Sequence, residues 1–217
     1  MPADPAPGRF FAAGHALIMA LQPLPLPQAD VRLDPAFLPP AAAAALLQEL
    51  TATVGWRHEP IKLFGKEVLQ PRLTAWYGDA GAAYRYSGLT MQPEPWTPAL
   101  QQLRRRVETA CAAAFNSVLL NLYRHGQDSM GWHADDEPEL GPAPVIASVS
   151  LGAPRRFRLR PRPGTGPAHP PLTLELPGGS LLLMQGPTQH YWQHAVPKTA
   201  QPVGPRLNLT FRRIIGQ

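Results

Sequence analysis

The pattern of apolar and polar positions changes near residue 115. Before it, two segments have helical spacing. Pro39-Pro40 opens a helix predicted from Ala41 to about Val54, with proline in the first turn and Gly55 after its end. Thr97 and Pro98 begin a second predicted helix, as cap and first residue. One apolar face of this helix is formed by Leu100, Leu103, Val107, Ala110 and Ala114.

After residue 115 the apolar runs are short and are separated by glycine and proline, which is typical of a sandwich, jelly roll or barrel. The predicted strands are Val118–Tyr123, Val145–Leu151, Arg156–Arg160, Leu172–Leu176, Ser180–Met184 and Leu207–Ile214. Pro161–Pro171 has five prolines in eleven residues and is predicted to be a loop. The fold class is therefore α+β and mostly β, with the helices in the N-terminal half.

The chain has 217 residues, which suits one domain. Residues 1–30 are rich in alanine and proline and are predicted to be a flexible arm, with a single domain over 31–217. Because no apolar run approaches the roughly 20 residues of a membrane span, no membrane association is expected. Cys111 is the single cysteine, which excludes an internal disulfide and favours the cytoplasm.

The net charge is +5, from 15 acidic residues against 3 lysines and 17 arginines. A coding bias toward arginine, alanine and proline explains this as well as a nucleic-acid partner does. Phosphates do attract arginine, so the charge permits nucleic-acid binding without establishing it.

Three residues predict a metal site: His133 and Asp135, and then His194, which follows 59 residues after Asp135. On a strand, residues 133 and 135 point to the same face. Two histidines and one carboxylate occupy three corners of an octahedron and leave three open, which suits Fe(II) in oxygenases. His190, four residues before His194, is a rival ligand.

The segment from residue 206 to 212 alternates strictly, with leucine and phenylalanine on one face. The polar face contains Arg206, Asn208, Thr210 and Arg212. Such a face either lies in water or lines a cavity. In a cavity, two guanidiniums would bind a dicarboxylate, with Asn121 and Tyr123 donating further hydrogen bonds.

Taken in order, these motifs resemble the AlkB family of Fe(II)- and 2-oxoglutarate-dependent nucleic-acid demethylases, in particular the homologues that act on double-stranded DNA. The strings that carry the resemblance are Asp135-Asp136-Glu137, residues 144–152 (PVIASVSLG) and residues 205–212 (PRLNLTFR). The resemblance runs from about Phe64 to Ile214.

The resemblance implies a double-stranded β-helix, or jelly roll, over about residues 115–215, with flanking N-terminal helices. It implies Fe(II) held by His133, Asp135 and His194, because His-Ala-Val-Pro at residue 194 matches the family string. It also implies 2-oxoglutarate and O2 as cosubstrates. The residues implied to hold 2-oxoglutarate are Arg206 and Arg212, with Asn121, Tyr123, Asn208 and Thr210.

The N-terminal half resembles the nucleotide-recognition lid of the family, at about residues 57–95. Its implied substrate residues are Tyr84, Arg85, Tyr86 and Ser87. Tyr84 and Tyr86 would contact a base flipped out of the helix, or else be ordinary strand residues. Asp136 and Glu137 would contact the damaged base, since methylated adenine and cytosine rings are cationic.

The string Leu63-Phe64-Gly65-Lys66 resembles the finger of family members that act on duplex DNA. Phe64 would insert into the gap left by the flipped base, or be a core residue. Lys66 and Arg72 would meet phosphates. Five further arginines either extend this surface or form a basic edge strand: Arg155, Arg156, Arg158, Arg160 and Arg162.

The expected function is oxidative demethylation of 1-methyladenine and 3-methylcytosine in double- or single-stranded DNA, with release of formaldehyde and succinate, by a monomer. The alternatives are a demethylase of RNA, a hydroxylase of protein, and a non-catalytic jelly-roll binding module. Asp136, Tyr84 and Phe64 argue against a protein substrate. The metal motif and the two arginines argue against a non-catalytic module.

Overall fold

The larger of two main sheets runs through the middle of the molecule. The structure is a computed structural model that describes residues 21–63, 66–82, 84–86 and 89–215. Over these residues the larger sheet has eight strands, in the spatial order β1 (Gln22–Pro23), β2 (Asp30–Asp34), β14 (Leu181–Gln185), β11 (Ile146–Gly152), β16 (Arg206–Arg212), β9 (Ser117–Tyr123), β5 (Leu73–Gly78) and β8 (Glu94–Pro95).

The smaller sheet packs face to face on the larger one. In the described part of the chain its four strands are, in order, β10 (Met130–His133), β15 (Trp192–Val196), β12 (Arg155–Pro161) and β13 (Leu172–Leu176). Separate hairpins are formed by β3 (Pro60–Leu63) with β4 (Lys66–Leu69) and by β6 (Tyr84–Tyr86) with β7 (Leu89–Met91). The helical elements are α1 (Pro40–Thr53), α2 (Pro98–Cys111), α3 (Thr188–Tyr191) and a 3-10 turn, Pro138–Leu140.

Helix α2 begins as its sequence predicts, but it ends at Cys111, before Ala114 of the predicted apolar face. The Thr97 hydroxyl accepts a hydrogen bond from the Leu100 N–H at 3.3 Å, and Ala112 ends the helix in the left-handed region, with φ 50°. Of the predicted apolar face, the structure buries Leu100, Leu103 and Val107 but exposes Ala110 and Ala114. No helix in the described ranges is both long and apolar enough to cross a membrane.

Two apolar clusters produce three layers. The first joins α1 and α2 to one face of the larger sheet, through residues such as Leu46, Leu103 and Leu209. The second lies between the sheets and includes Ile146 of the larger sheet and Phe157 of the smaller one. Strand β16 buries both faces, since Leu207, Leu209 and Phe211 pack under the helices while its polar residues point between the sheets. This two-sided burial places polar side chains in the interior.

All six predicted strands occur, with ends shifted by at most two residues, and the jelly-roll prediction is confirmed. The strands that were not predicted include β2, β5, β10 and β15. Strand β10 contains Gly131, and β2 follows a proline-rich stretch, so neither has a clear apolar run.

The predicted arm boundary at residue 30 is wrong. From Leu21 the chain belongs to the fold: Leu26 is buried, and the Trp192 indole N–H donates to the Pro27 carbonyl at 3.0 Å. Repeated prolines suggested an arm, but they also suit an edge strand, where a missing N–H costs little. The range 57–95 assigned to the lid likewise includes β5 and β8, which belong to the larger sheet. Residues 1–20 lie outside the described residues.

The Cys111 thiol is expected to be unreactive in the folded protein. Burial raises its pKa to about 12, so almost no thiolate, the reactive species, forms at neutral pH. The buried neutral thiol stabilises the fold fully below its unfolded pKa of roughly 8.5, and this contribution is lost as the pH rises toward 12. A disulfide reagent at pH 8 should label less than one thiol in the native protein and a full equivalent in guanidinium. Rapid native labelling would contradict this.

Candidate active site

Strand pairing brings the three predicted metal ligands together. His133 on β10 is the register partner of His194 on β15, and Asp135 follows β10 by two residues. One donor atom from each of the three lies within 4.8 Å of the others. Asp135 and His194 are buried and His133 is partly exposed, so the site opens beside His133. The arrangement offers one oxygen and two nitrogens to a metal ion.

The structure separates the two candidate distal histidines. His190 lies on α3 and is exposed, with its ring edge-on to Tyr191. Strand β15 begins at Trp192, and on this strand the buried His194 stacks on Phe157, with ring centroids 5.3 Å apart. His194, rather than His190, therefore belongs to the cluster.

Neighbouring groups hold the ligands in orientation. His133 Nδ1 lies 2.9 Å from the Gly131 carbonyl, which only accepts, so Nδ1 carries the hydrogen and Nε2 keeps its lone pair. The Asp135 N–H donates to the Gln189 side-chain oxygen at 2.9 Å. Gln189 is buried and was missed by the sequence analysis, because a single glutamine carries no motif.

The electrostatics keep the histidine neutral and the carboxylate charged. Burial, together with nearby His133, lowers the pKa of His194 to about 3, so its ring is neutral at pH 7. Burial alone would raise the pKa of Asp135, but the opposing effect of Arg212 is strong, and the pKa lies below its ordinary value. Arg212 Nη2 donates to Asp135 Oδ1, while Oδ2 faces His194 Nε2 at 3.5 Å. One carboxylate oxygen is thus left toward the histidines.

Three residues of the polar face of β16 line the cavity beside the ligand cluster: Asn208, Thr210 and Arg212. Asn208 donates to the Ser148 hydroxyl at 2.7 Å, and the Thr210 hydroxyl donates to Asn208 Oδ1 at 3.2 Å. Asn121 is the register partner of Asn208. The remaining wall is apolar and includes Leu119, Met130, Phe157, Met184 and Val196. Of the two interpretations of the alternation, the cavity lining is correct.

Both arginines of β16 have buried N–H groups with no hydrogen-bond partner. Arg206 is 1% exposed; its Nη2 donates to the Ser150 hydroxyl at 2.9 Å, but Nε and Nη1 are unsatisfied. Its guanidinium lies 5.2 Å from the Tyr123 ring centre, and burial lowers its pKa. Arg212 Nε is unsatisfied as well. Since unsatisfied buried donors are costly, these atoms indicate an anionic ligand with several oxygens.

Arg155 is interior, not part of a phosphate-binding surface. It is buried, and its guanidinium donates to the carbonyls of Asp128 at 2.8 Å and Pro197 at 2.7 Å. It lies 5.8 Å from the Tyr123 ring centre, so Arg155 and Arg206 both pack on this tyrosine. Strand β12 is also not an edge strand, because β13 and β15 flank it. The expectation for Arg155 failed because charge in a sequence does not report burial.

Arg72 is also interior. It is 8% exposed, and its Nε donates to Asn121 Oδ1 at 2.8 Å. A side chain in this position does not meet a phosphate at the surface. It orients Asn121, which lines the cavity.

We expect Arg72→Met to act on the cosubstrate and on stability rather than on nucleic-acid binding. Loss of a buried charged partner leaves Asn121 unsatisfied, which costs roughly 1–3 kcal/mol. Thermal unfolding should show a lower Tm, and titration should show a raised 2-oxoglutarate requirement. The salt dependence of oligonucleotide binding should stay that of the parent protein. If the variant had an unchanged Tm and its oligonucleotide binding depended less on salt, Arg72 would be a phosphate-binding residue after all.

The acidic pair Asp136 and Glu137 directly follows the metal motif in the sequence. Asp136 is exposed and accepts from Arg162 Nη1 at 2.5 Å, so Arg162 is paired rather than free for phosphate. Glu137 has a buried carboxylate oxygen, Oε2, without a hydrogen-bond partner. Phe64, Gly65 and Ser87 lie outside the described residues. For Lys66, Tyr84, Arg85 and Tyr86 the structure describes only the strand to which each residue belongs.

A family model described as the 2OG-Fe(II) oxygenase superfamily matches residues 30–212. The chain belongs to this superfamily. The buried ligand cluster and the unsatisfied arginine donors fit the two groups in the superfamily's name: Fe(II) at His133, Asp135 and His194, and 2-oxoglutarate at Arg206 and Arg212. Together with O2, these groups supply the oxidising chemistry of the superfamily.

Relatives confirm the AlkB resemblance. The chain is 43% identical over 190 residues to human alpha-ketoglutarate-dependent dioxygenase alkB homolog 3, over 85% of the chain and 66% of the relative. It is 46% identical over 160 residues to bovine DNA oxidative demethylase ALKBH2, over 71% of the chain and 57% of the relative. The chain therefore spans less than two thirds of the length of these relatives.

A solved structure, of OsALKBH1, matches with a TM-score of 0.64 at 18% identity, over 89% of this chain and 99% of that one. At this identity the match concerns the fold. It supports a jelly roll with two facing sheets.

Proposed function

We propose that this protein is an oxidative demethylase of N-alkylated nucleic-acid bases, with 1-methyladenine and 3-methylcytosine in DNA as its substrates. The observation that carries the proposal is one cavity lined by the His133–Asp135–His194 cluster and by Arg212, whose Nε has no hydrogen-bond partner. Arg206, with two further unsatisfied donors, packs on Tyr123, which lines the same cavity. The names of the relatives, dioxygenase and DNA oxidative demethylase, support this chemistry.

The residues of the chain have separate tasks in this reaction. Arg206 and Arg212 would hold the two carboxylates of 2-oxoglutarate, because a guanidinium offers a planar pair of donors. The apolar wall with Leu119, Phe157 and Met184 would exclude water from the reacting methyl group. The N-methyl carbon would leave as formaldehyde, and 2-oxoglutarate would leave as succinate and carbon dioxide.

The acidic residues that follow the metal ligand Asp135 in the sequence favour a cationic base. Asp136 and Glu137 lie directly after the metal ligand Asp135; Asp136 is exposed and paired with Arg162, while the buried Oε2 of Glu137 has no hydrogen-bond partner. Methylation at N1 of adenine or N3 of cytosine gives the ring a positive charge, which a carboxylate attracts. Since such a base is not reachable inside a duplex, it would have to be flipped out.

The deciding experiment is a demethylation assay with purified, Fe(II)-loaded protein. Oligonucleotides of one sequence, each with a single 1-methyladenine or 3-methylcytosine, would be supplied as DNA and as RNA. Mass spectrometry should show loss of one methyl group, and formaldehyde and succinate should appear in equal amounts. A protein that makes succinate but leaves every oligonucleotide methylated would overturn the proposal. Faster turnover of RNA than of DNA would make RNA the substrate and would leave the proposed demethylation reaction unchanged.

The hypothesis that Phe64 acts as a DNA-inserting finger is tested by repeating the same assay with duplex DNA. If Phe64 fills the gap left by the flipped base, Phe64→Ala should slow turnover on duplex DNA and spare the single strand, because only a duplex has a stack to refill. Equal loss on both substrates, with a lower Tm, would identify Phe64 as a core residue.

A further inference from the structure

The outer face of the smaller sheet carries a row of cations that the proposed reaction does not use. Along β12, Phe157 and Leu159 point to the core, so Arg156, Arg158 and Arg160 point outward. Trp132 on β10 and Lys198 after β15 border the row. We call these five residues the arginine face.

Trp132 organises the guanidiniums of this face. The Arg160 guanidinium carbon lies 4.3 Å from the Trp132 ring centre, and that of Arg158 lies 5.5 Å away. Arg160 also donates to the Gln193 side-chain oxygen at 2.9 Å. Cation–π contacts of this kind hold long side chains in place, so less conformational entropy is lost when they bind a ligand.

Three of the cations are available for an external anion. Among the ion pairs of the described residues, none involves Arg156, Arg158 or Lys198. Glu175 is the register partner of Arg156, yet the two form no salt bridge. A shallow cavity of about 180 Å³ lies between Trp132, Arg158 and Lys198. The cavity and the unpaired charges together suit phosphate groups.

The arginine face lies directly behind the active site. The same three strands carry both: Trp132 precedes His133, Gln193 precedes His194, and Arg156 and Arg158 flank Phe157. The site opens beside the partly exposed His133, on β10, which is the edge strand of the smaller sheet. A polymer that leaves this opening over the β10 edge reaches Trp132 first and then the cations.

We propose that the arginine face binds the sugar–phosphate backbone of nucleotides that flank the substrate base. This inference rests on the proposed function. Alternate residues of a strand repeat about every 6.6–6.8 Å. Successive phosphates of a stacked strand are separated by a similar distance, because each step adds the turn of the helix to the roughly 3.4 Å axial rise, so successive arginines can meet successive phosphates. Such contacts position the polymer and carry no base specificity.

Binding of a 13-nucleotide single-stranded DNA, measured by fluorescence anisotropy at several salt concentrations, tests this directly. The variant is Arg156→Gln with Arg158→Gln. The matched control is Arg105→Gln, an exposed arginine of α2 on the opposite side of the larger sheet. We expect about three- to tenfold weaker binding. The slope of log K against log salt should fall by about 1.4, since each lost single-strand phosphate contact removes roughly 0.7. The control should lose less affinity for the 13-mer than the double variant does.

Turnover separates this inference from the proposed function. A methylated trinucleotide is too short to reach the arginine face, so the double variant should demethylate it as fast as the parent protein does. Only with the methylated 13-mer should the double variant show a raised KM. If the parent demethylates neither substrate, the proposed function fails, and the binding slopes still decide the role of the face. If the double variant binds the 13-mer as the control does, the inference is overturned. Equal binding of polyglutamate, with the same loss on mutation, would overturn the nucleic-acid assignment.

Discussion

Asp135→Asn is expected to remove Fe(II) binding and turnover together. Asp135 is the single carboxylate of the ligand cluster and is 2% exposed, so no neighbouring water replaces it easily. Changes to residues that merely orient metal ligands cost about 10–100-fold in metal affinity, and loss of a ligand should cost more than about 100-fold. Titration of Fe(II) into apoprotein, with Mn(II) as an air-stable substitute, gives the affinity, and succinate release gives the turnover.

The same substitution is expected to destabilise the apoprotein. Asparagine cannot balance the charge of Arg212, which donates to Asp135. Breaking a buried ion pair costs about 3–5 kcal/mol when one charge stays behind, and the value here should be lower because Arg212 is partly exposed. Asp136→Asn is the matched control, one residue away and exposed, and its metal affinity should equal that of the parent. Asp135→Asn protein that is folded and binds Fe(II) normally would remove Asp135 from the ligand set.

Patterns local to one strand were predictable from the sequence. The alternation in β16 gave its two faces correctly. The spacing of His133 and Asp135 indicated a shared site, which the structure shows, although Asp135 lies beyond the end of β10 and not on the strand. What the alternation could not determine was whether the polar face meets water or the second sheet. That depends on residues far along the chain, such as Phe157 on β12, which close the cavity from the other side.

Burial of charge was the main error of the sequence analysis. Arg72 and Arg155 were expected at the surface, because an isolated arginine most often lies there. Their partners are the Asn121 side chain and backbone carbonyls, such as that of Pro197, and any residue supplies a carbonyl. No sequence pattern predicts that a buried arginine will find such a partner. The sequence therefore could not distinguish these two from Arg156 and Arg158, which do point outward.

Arg206→Met is expected to raise the 2-oxoglutarate requirement by more than about 100-fold without loss of stability. Two unsatisfied donors, Nε and Nη1, are available to the cosubstrate. A hydrogen bond to a charged group contributes roughly 1.5–3 kcal/mol, or about ten- to 150-fold in affinity for each bond. In the apoprotein the same guanidinium is a buried cation with no acidic partner among the described salt bridges, so an apolar replacement should leave the Tm unchanged or raise it.

This opposite response of stability and affinity is what distinguishes a binding residue from a structural one. A cosubstrate titration followed by succinate release gives the affinity, a thermal melt of the apoprotein gives the stability, and Mn(II) binding should not change. Ser150→Ala serves as the control, because it removes the 2.9 Å hydrogen bond from Arg206 Nη2 and keeps the guanidinium charge. Loss of one such bond costs about 1 kcal/mol, so the 2-oxoglutarate requirement of this variant should rise tenfold or less. If Arg206→Met lowered the Tm sharply while the 2-oxoglutarate requirement stayed unchanged, the guanidinium would be holding Tyr123 and Ser150 in place, and the cosubstrate would bind elsewhere.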